Sequence, residues 1–493
     1  MRQLGKQDKI TPQKTVVTQF GEGNFLRAFA DYMIDVANEQ GVFDGGVAVI
    51  KPIPYGSFEL FDEQDNAYTV VLRGLVNGER VVEHRIVGAI TDTIDPFADY
   101  ETFLNLAKDE NLQFVISNTT EAGIVYDETD KFENCPANSF PGKLTQFLYA
   151  RYNFFKGETS CGLIILPVEL IDENGAKLKS CVLKLISLWK LDPKFADWVS
   201  ETCIFCNTLV DRIVSGYPKD EADIIERDLL GYRDALLVVG EPFGIWVIAH
   251  PRHKEVREKF PLDRAGMPLV FTDDYRPYRE RKVRILNGAH TSISPIGFLS
   301  GKDTVAEAME DKRIHAFINA AIYEDIAPAM PLPITQEEIT EFIERFKNPF
   351  IRHELLSISL NSVSKWKARV LQSLKDNYAK TQNLPTYLAF SLAALTTFYR
   401  LGAEREDGCL IGQRDGKSFP IRDDAHVLNF FFERISEPVE TFVPAFLATQ
   451  EFWGEDLNEI NGMTEHIITY LDAIEKDGMY KALELVIPQE EDR

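Results

Sequence analysis

The first half of the chain alternates short apolar runs with amphipathic stretches. Two runs, 68–73 and 80–86, mix apolar and polar residues and predict exposed, antiparallel strands. Helical spacing of apolar residues is found at 28–39 and 97–108. Continuous apolar runs with the length of buried strands are found at 15–20, 46–50, 114–118, 162–167 and 243–248. Buried strands separated by helices predict a parallel sheet covered on both faces, so we expect an α/β, doubly wound, Rossmann-like domain.

The pattern changes at about residue 282, where strand-like runs disappear. Long stretches with helical periodicity follow at 305–324, 336–346, 354–375, 384–399 and 458–476. The charged and proline-bearing segment Asp273–Arg279 is typical of a domain junction. We therefore predict a Rossmann-like domain at 1–277 and a mostly α-helical domain at 278–493.

Composition and charge narrow the class of protein. The chain has 493 residues, 45% of them hydrophobic, and a net charge of −24. That charge argues against nucleic acid or an anionic membrane surface as a partner. No apolar run is long enough to span a membrane, and Met1–Lys6 lacks the apolar core of a signal peptide. We expect a cytoplasmic enzyme with a small-molecule substrate; the sequence leaves its oligomeric state open.

The cysteines do not indicate a metal site. Six are scattered along the chain, and Cys203 and Cys206 have the CxxC spacing without a second pair. A zinc site needs four ligands, or three and an open position. We interpret both residues as ordinary buried thiols of a reduced compartment and expect no metal.

A glycine turn near the start of the chain suggests a dinucleotide site. The apolar run 15–20 ends at Gly21-Glu22-Gly23, and a helical stretch follows. The first glycine permits a tight turn, and the second lets a pyrophosphate approach the backbone at the helix N-terminus. Leu26 replaces the third glycine of the usual fingerprint, so the pattern by itself is also compatible with a plain turn.

Lys282, Asn287 and His290 carry the most specific chemistry. At about 100° per residue in an α-helix, Asn287 lies about 140° and His290 about 80° round from Lys282, so all three can face one cleft. A neutral lysine can accept the proton of an alcohol, and an asparagine amide can stabilise the developing alkoxide. A histidine can orient substrate hydroxyl groups. These residue types suit oxidation of a secondary alcohol without a metal.

These residues fit the K-x4-N-x2-H signature of the mannitol dehydrogenase family of polyol-specific long-chain dehydrogenases, and the resemblance covers nearly the whole chain. Several segments more specifically resemble the tagaturonate reductase branch of that family. They are Phe20–Phe29, Ser117–Ile124, Asn207–Ile213, Gly216–Pro218 and Pro277–Lys282.

The resemblance implies zinc-independent reduction of D-tagaturonate to D-altronate in hexuronate breakdown, with NAD as the cofactor. It implies that Lys282 is the catalytic acid and base, that Asn287 stabilises the alkoxide, and that His290 orients the substrate. The implied cofactor-binding residues are Phe20, Gly21, Glu22, Gly23, Asn24, Phe25, Leu26, Asn118, Thr119 and Glu121.

A uronate carboxylate also needs a cation. The candidate substrate-binding residues are Arg212 and its neighbour Asp211, together with Lys365 and Arg369, which are four residues apart and share a helix face. A solvated basic face is the alternative interpretation of the latter pair.

Two departures from the family pattern leave alternatives open. Leu170 stands where mannitol-type members have a second alkoxide-binding asparagine, so Asn207 or a backbone donor could take that role. Lys51 follows the second strand, where an acidic residue normally binds the ribose of NAD, and a lysine there could favour NADP. Fructuronate or a neutral ketose such as fructose remain alternative substrates, and a nicotinamide-binding sensor without turnover is the alternative of another class.

Overall fold

A computed structural model describes residues 1–5, 8, 12, 14–120 and 122–487. The chain forms two compact units. The first, unit 1, comprises Met1–Gly74 and Arg80–Tyr275, and the second, unit 2, comprises Leu75–Glu79 and Arg276–Arg493. The division at residues 275 and 276 is close to the predicted boundary at 277, but the short segment Leu75–Glu79 joins unit 2, which no feature of the sequence indicated. Of the helices in the described ranges, none is long and apolar enough to cross a membrane.

The strands lie mostly in unit 1. They are β1 (Thr15–Phe20), β2 (Gly46–Ile50), β3 (Tyr68–Val76), β4 (Glu79–Val87), β5 (Ile90–Ile94), β6 (Phe114–Ser117), β7 (Ile164–Pro167), β8 (Ile204–Phe205), β9 (Asn207–Asp211), β10 (Val214–Gly216), β11 (Val238–Gly240), β12 (Ile245–Ala249), β13 (Leu269–Thr272), β14 (Glu404–Glu406), β15 (Cys409–Arg414) and β16 (Lys417–Ile421).

The main sheet is parallel and has the order β5-β2-β1-β6-β7-β8. From β1 the chain builds the sheet first towards β2 and β5, and then on the other side towards β6, β7 and β8. The carboxyl ends of β1 and β6 therefore flank the point where the winding direction reverses, which is where doubly wound sheets bind their ligands.

Both faces of this sheet are covered. Alternate residues of one strand enter two different hydrophobic cores: Val47 and Val49 of β2 belong to one core, whereas Ala48 and Ile50 belong to the other. Helices of unit 1 supply further core residues. The helices of this unit are α1 (Asn24–Leu26), α2 (Tyr32–Glu39), α3 (Glu59–Glu63), α4 (Tyr100–Leu106), α5 (Phe140–Phe154), α6 (Asn174–Leu188), α7 (Pro193–Glu201), α8 (Ala222–Ile225) and α9 (His253–Lys259). The prediction of a doubly wound, Rossmann-like unit is confirmed.

One predicted member of the main sheet was placed wrongly. The run 243–248 forms β12, which pairs with β9 and β13 in a separate sheet, antiparallel to β9. Another sheet has the order β10-β11-β3-β4 and includes the two strands that the sequence predicted at 68–73 and 80–86. Most of β4 is exposed or half-buried, as predicted, but Tyr68–Leu72 of β3 are buried, so the prediction of an exposed strand was wrong there. An apolar run identifies a buried strand, but it does not say which neighbour the strand pairs with.

Unit 2 is mostly helical, as predicted. Its helix α18 is buried along most of its length and packs against α11 and α22. The helices are α10 (Arg276–Arg281), α11 (Gly288–Leu299), α12 (Val305–Glu310), α13 (Lys312–Ala320), α14 (Gln336–Phe346), α15 (Leu355–Ile358), α16 (Ser362–Trp366), α17 (Gln372–Thr381), α18 (Thr386–Arg400), α19 (Ala425–Glu433), α20 (Val439–Leu447), α21 (Gln450–Trp453), α22 (Met463–Asp477) and α23 (Met479–Ala482).

The long predicted helices of unit 2 are interrupted. Asp311 adopts an extended conformation and caps α13 with its side chain, which breaks the predicted helix 305–324. Asn361 has a φ of 52° and ends the first part of the predicted helix 354–375. Both interruptions occur at Asp and Asn, whose side chains favour caps and turns over helix interiors.

The prediction that strands disappear after residue 282 was wrong. The strands β14, β15 and β16 form an antiparallel sheet in unit 2. Their connections are Asp407-Gly408 and Asp415-Gly416, and all four residues have positive φ. Asp-Gly pairs are a strong hairpin signal, because the tight turns of hairpins require positive φ. The signal was present in the sequence but outweighed by the helical periodicity around it.

Candidate active site

The glycine turn after β1 has the geometry of a dinucleotide site. Gly21 has a φ of 122°, and its amide donates to the Ile50 carbonyl at 3.1 Å. A Cβ atom on Gly21 would lie 3.1 Å from the Asn118 carbonyl oxygen, in the loop after β6. A side chain at Gly21 would therefore suffer both backbone strain and a tight contact. The first predicted glycine is needed where the ends of β1 and β6 meet.

Gly23 has open space around it. A Cβ atom there would meet no atom within 4 Å, and Gly23 occupies the N-cap position of α1. The helix runs on through the π-helical segment Arg27–Asp31 into α2, so its N-terminus faces this open space. Glycine has no side chain to accept from the first-turn amides, which leaves them to an anionic ligand. The turn therefore fits the pyrophosphate of a nicotinamide cofactor.

Three of the predicted cofactor residues have structural side chains. Phe20 and Leu26 are buried in the two cores, and Phe25 stacks on Phe29 with their ring centroids 4.9 Å apart. Only the main chain of Phe20 and of Leu26 remains for the cofactor, whereas Phe25 is half-buried. Asn24 is exposed, and its side chain accepts a hydrogen bond from Arg27 at 2.6 Å.

A buried polar network beneath the turn was not predicted. Gln19 Nε2 donates to the Gly21 carbonyl at 3.1 Å and to Asp31 Oδ2 at 3.2 Å. Tyr68 also donates to Asp31, at 3.3 Å. Burial raises the pKa of Asp31 to about 7, against these hydrogen bonds. Arg27 supports the same turn by donating to the Glu22 carbonyl at 3.2 Å.

The loop after β6 is held by Glu169. Its Oε1 accepts from the Thr119 amide and from Thr119 Oγ1, both at 2.9 Å, and its Oε2 accepts from Ser117 Oγ at 3.0 Å. The same loop includes Asn118, whose amide donates to the Phe20 carbonyl at 3.1 Å. Glu169 thus fixes the edge of the cofactor site from beneath. The predicted residue Glu121 lies outside the described residues.

The remaining predicted residues of unit 1 have structural contacts. Arg212 is buried, and its three nitrogens donate to the main-chain carbonyls of Phe243, Ala28 and Pro242. Those contacts make Arg212 a structural cation rather than a partner for a substrate carboxylate. Asn207 Oδ1 accepts from the Ala176 amide at 3.0 Å, near the start of α6.

Two further positions were singled out in unit 1. The candidate substrate-binding residue Asp211 is buried at the end of β9. Leu170, in the place of the second alkoxide-binding asparagine, has no side-chain donor and is 62% exposed.

In unit 2, a π-helical turn brings the predicted catalytic residues closer together than an α-helix would. The segment Lys282–Asn287 is π-helical and joins α10 to α11. In such a turn residues five apart are bonded through their main chains, so Lys282 and Asn287 lie nearly one above the other. His290 follows Asn287 by three residues in the α-helical part and shares its face. The expected separation of about 140° between Lys282 and Asn287 was therefore wrong, because it assumed regular α-helix geometry.

His290 is buried in a basic environment. Its ring centroid lies 4.3 Å from that of Phe346 and 4.9 Å from that of His353. Burial, together with His353, Arg345 and Arg369, holds the pKa of His290 well below its usual value. The imidazole is therefore neutral at physiological pH and can both donate and accept a hydrogen bond.

Around His290 lies a group of basic residues that we call the basic cluster: Arg345, His353, Lys365 and Arg369. The predicted residues Lys365 and Arg369 belong to it, whereas Arg345 and His353 were missed. Burial lowers the pKa of Lys365, and the positive charge of Arg369 lowers it further. Burial and Lys365 lower the pKa of His353. A signal in the sequence could have found the missed residues. Arg345 lies in the last turn of the amphipathic helix α14, and His353 follows it after the turn residues Asn348-Pro349.

Hydrogen bonds connect the basic cluster to the helical segment that carries Lys282, Asn287 and His290. Arg369 Nη1 donates to Thr291 Oγ1 at 3.3 Å, and Thr291 Oγ1 donates to the Asn287 carbonyl at 2.8 Å. A Cβ atom on Gly288 would lie 3.0 Å from the Arg369 carbonyl oxygen, so glycine permits the close approach of the two segments. Arg369 itself lies in a second π-helical segment, Lys367–Leu371. Departures from α-helix geometry thus occur on both sides of this contact, as they often do at functional sites.

Comparison with known proteins identifies the family of this chain. Residues 15–261 match the family model of the mannitol dehydrogenase Rossmann domain, and residues 274–475 match that of the mannitol dehydrogenase C-terminal domain. The altronate oxidoreductase of Bacillus subtilis (strain 168) is 42% identical over 489 residues, which cover 98% of each chain. The altronate oxidoreductase of Escherichia coli O7:K1 is 41% identical, over 95% of this chain and 96% of the relative.

Solved structures share the fold at lower identity. A substrate-free D-sorbitol dehydrogenase superposes with a TM-score of 0.78 at 20% identity, covering 98% of this chain and 100% of the other. Mannitol 2-dehydrogenase of Pseudomonas fluorescens, solved with NAD and D-mannitol, has a TM-score of 0.66 at 20% identity, covering 99% and 100%. These matches identify the chain as an enzyme, so the alternative of a nicotinamide-binding sensor without turnover is excluded. The chain belongs to the mannitol dehydrogenase family, and it is a nicotinamide-dependent oxidoreductase that acts on CH–OH groups.

Proposed function

We propose that this enzyme interconverts D-tagaturonate and D-altronate with NADH and NAD in the breakdown of hexuronates. The observation that carries the proposal is the basic cluster beside His290. Relatives named altronate oxidoreductase, at 41% and 42% identity over nearly the full length, support the same substrate.

The basic cluster suits a sugar acid better than a neutral sugar. Arg345 and Arg369 both contribute to the lowered pKa of His290, so two guanidinium groups act on the same buried imidazole. Burial also lowers the pKa of Lys365 and of Arg369, so holding positive charge at these half-buried positions costs free energy. A substrate carboxylate would offset that cost, because charge-assisted hydrogen bonds are strong. A neutral ketose would not.

Each catalytic residue has a defined task in the reduction. The nicotinamide, when bound, supplies a hydride to the carbonyl carbon. Lys282 donates a proton to the carbonyl oxygen, and it takes the proton back in the oxidation direction. Asn287 donates a hydrogen bond to the same oxygen as negative charge develops there, an effect of about 3–4 kcal/mol for a well-aimed donor. Neutral His290 can accept from one substrate hydroxyl while its other nitrogen donates.

Replacement of Lys365 with methionine tests the carboxylate role. Lys365→Met should raise the KM for tagaturonate at least about tenfold, because a hydrogen bond to a charged group contributes about 1.5–3 kcal/mol. Its residual turnover of fructose should be unchanged. The control is Lys367→Met. Lys367 lies on the same continuous helical segment as Lys365, but its ammonium group lies beside Gly454. An unchanged KM for the uronate in Lys365→Met would show that this lysine does not bind the carboxylate.

Replacement of Lys282 tests the proton transfer. Lys282→Met should lower kcat at least about 100-fold, because general acid catalysis by a positioned side chain contributes about 10²–10⁴-fold. Binding of NADH, measured by calorimetry, should be retained, since Lys282 is not part of the glycine turn that fits the pyrophosphate. A variant that keeps wild-type kcat would remove Lys282 from the mechanism.

A further inference from the structure

An ion pair stands where the Rossmann fold usually places a single acidic residue. Lys51 directly follows β2, and its Nζ lies 2.8 Å from Asp95 Oδ2. Asp95 directly follows β5, the parallel neighbour of β2 in the main sheet. The amide of Lys51 donates to the Ile94 carbonyl at 3.0 Å, which holds the two strand ends in register. The pair is therefore fixed at the carboxyl edge of the sheet.

This edge adjoins the glycine turn. Gly21 donates its amide to the Ile50 carbonyl, one residue before Lys51. Burial raises the pKa of Glu22, in the middle of the turn, and Lys51 and Asp95 are among the charges that act on its carboxylate. In a Rossmann fold the residue at the end of the second strand meets the 2′ position of the adenosine ribose. The ion pair thus occupies the position that distinguishes a 2′-hydroxyl from a 2′-phosphate.

The charges of the pair favour the hydroxyl. The Lys51 side chain is 8% exposed and the Asp95 side chain is 28% exposed, so the carboxylate is the more accessible partner. Burial opposes ionisation of Asp95, but the Lys51 ammonium and the Phe97 amide outweigh it and lower the pKa of the carboxyl. Asp95 is therefore anionic at neutral pH and can accept from a ribose hydroxyl. A 2′-phosphate would add about two negative charges close to this carboxylate.

We propose that Asp95 selects NAD over NADP, by neutralising Lys51 and by accepting the ribose 2′-hydroxyl. Without Asp95, the Lys51 ammonium would instead favour the 2′-phosphate of NADP. The inference rests on the nicotinamide cofactor and not on the identity of the sugar substrate.

Calorimetric titration of the full chain with NAD and with NADP, in the absence of any sugar, tests this assignment. The wild-type protein should bind NAD at least about tenfold more tightly than NADP. Asp95→Asn should reduce that preference at least about tenfold, by weakening NAD and by releasing Lys51 for the 2′-phosphate. The double variant with Lys51→Met should lose the gain in NADP affinity, because the cation is then absent.

The matched control is Asp92→Asn, which removes the same charge from an exposed position of β5. It should leave the preference unchanged, and thermal unfolding of each variant shows whether the fold is retained. A wild-type preference for NADP, an unchanged ratio in Asp95→Asn, or an equal change in Asp92→Asn would each overturn the proposal. Because cofactor binding is measured without a sugar, the result stands even where tagaturonate is not the substrate.

Discussion

Replacing Glu169 with alanine should loosen the loop that follows β6 and weaken cofactor binding. The carboxylate accepts from Ser117 and twice from Thr119 at 2.9–3.0 Å. Ser117 is buried, so its hydroxyl would lose its acceptor at a cost of about 1–3 kcal/mol. Thr119 is half-buried and water can replace part of its bonding. A total loss of about 3 kcal/mol follows. With an unfolding entropy of about 2.1 cal/mol/K per residue over the roughly 270 residues of unit 1, this corresponds to a decrease in Tm of about 5 °C.

Glu169→Gln provides the isosteric control. Burial raises the pKa of Glu169, so ionisation of its carboxyl group costs free energy, and a neutral amide avoids that cost while keeping hydrogen-bonding groups in the same place. The glutamine oxygen can still accept from Thr119, and its amino group can donate to Ser117 Oγ. We therefore expect the glutamine variant to unfold within a few degrees of wild type.

Differential scanning calorimetry of the three proteins, with NAD titration at 25 °C, measures both effects. The alanine variant should unfold at lower temperature and bind NAD more weakly, because the Asn118 carbonyl lies against Gly21 and the loop would no longer be fixed. An alanine variant with the Tm and the NAD affinity of wild type would refute the reasoning.

Three further predictions concern the glycine turn, the thiols and the catalytic histidine. Gly21→Ala should lower stability by about 1–3 kcal/mol through its positive φ, whereas Gly23→Ala should keep the wild-type Tm and lose cofactor affinity, since its methyl group enters open space; a Tm loss in Gly23→Ala would be inconsistent with the structure. Burial raises the pKa of Cys203 and of Cys206 to about 12, so a thiol reagent should modify them only after unfolding, and rapid modification of the native protein would contradict this. The pKa of His290 lies well below its usual value, so below about pH 6.5 the unfolded chain binds a proton that the folded protein does not; His290→Gln should lose less stability than wild type between pH 7 and pH 5.5, and equal losses would show that His290 is not the group involved.

The parts of the active site that are contiguous in sequence were predictable. The turn Gly21–Gly23 and the spacing of Lys282, Asn287 and His290 are local patterns, although the glycine pair by itself is also compatible with a plain turn. Their exact geometry was less accessible, because the π turn between Lys282 and Asn287 depends on which main-chain amide and carbonyl groups pair, and the residue types do not specify that pairing.

Contacts between distant segments could not be predicted. Glu169, just after β7, reaches Ser117 at the end of the neighbouring strand β6, and Asp95 pairs with Lys51 at the ends of two other neighbouring strands. Arg345 approaches His290 only through the packing of unit 2. In each case the sequence shows a charged residue in a turn or helix, and only the fold supplies its partner.

Substrate choice is the central claim, and oxidation of NADH followed by absorbance tests it directly. Tagaturonate, fructuronate and fructose should be compared in parallel with the purified protein at equal concentrations. We expect selective turnover of tagaturonate, with fructose far behind because it has no carboxylate for the basic cluster. Preference for fructose, or no turnover of either uronate, would contradict the account.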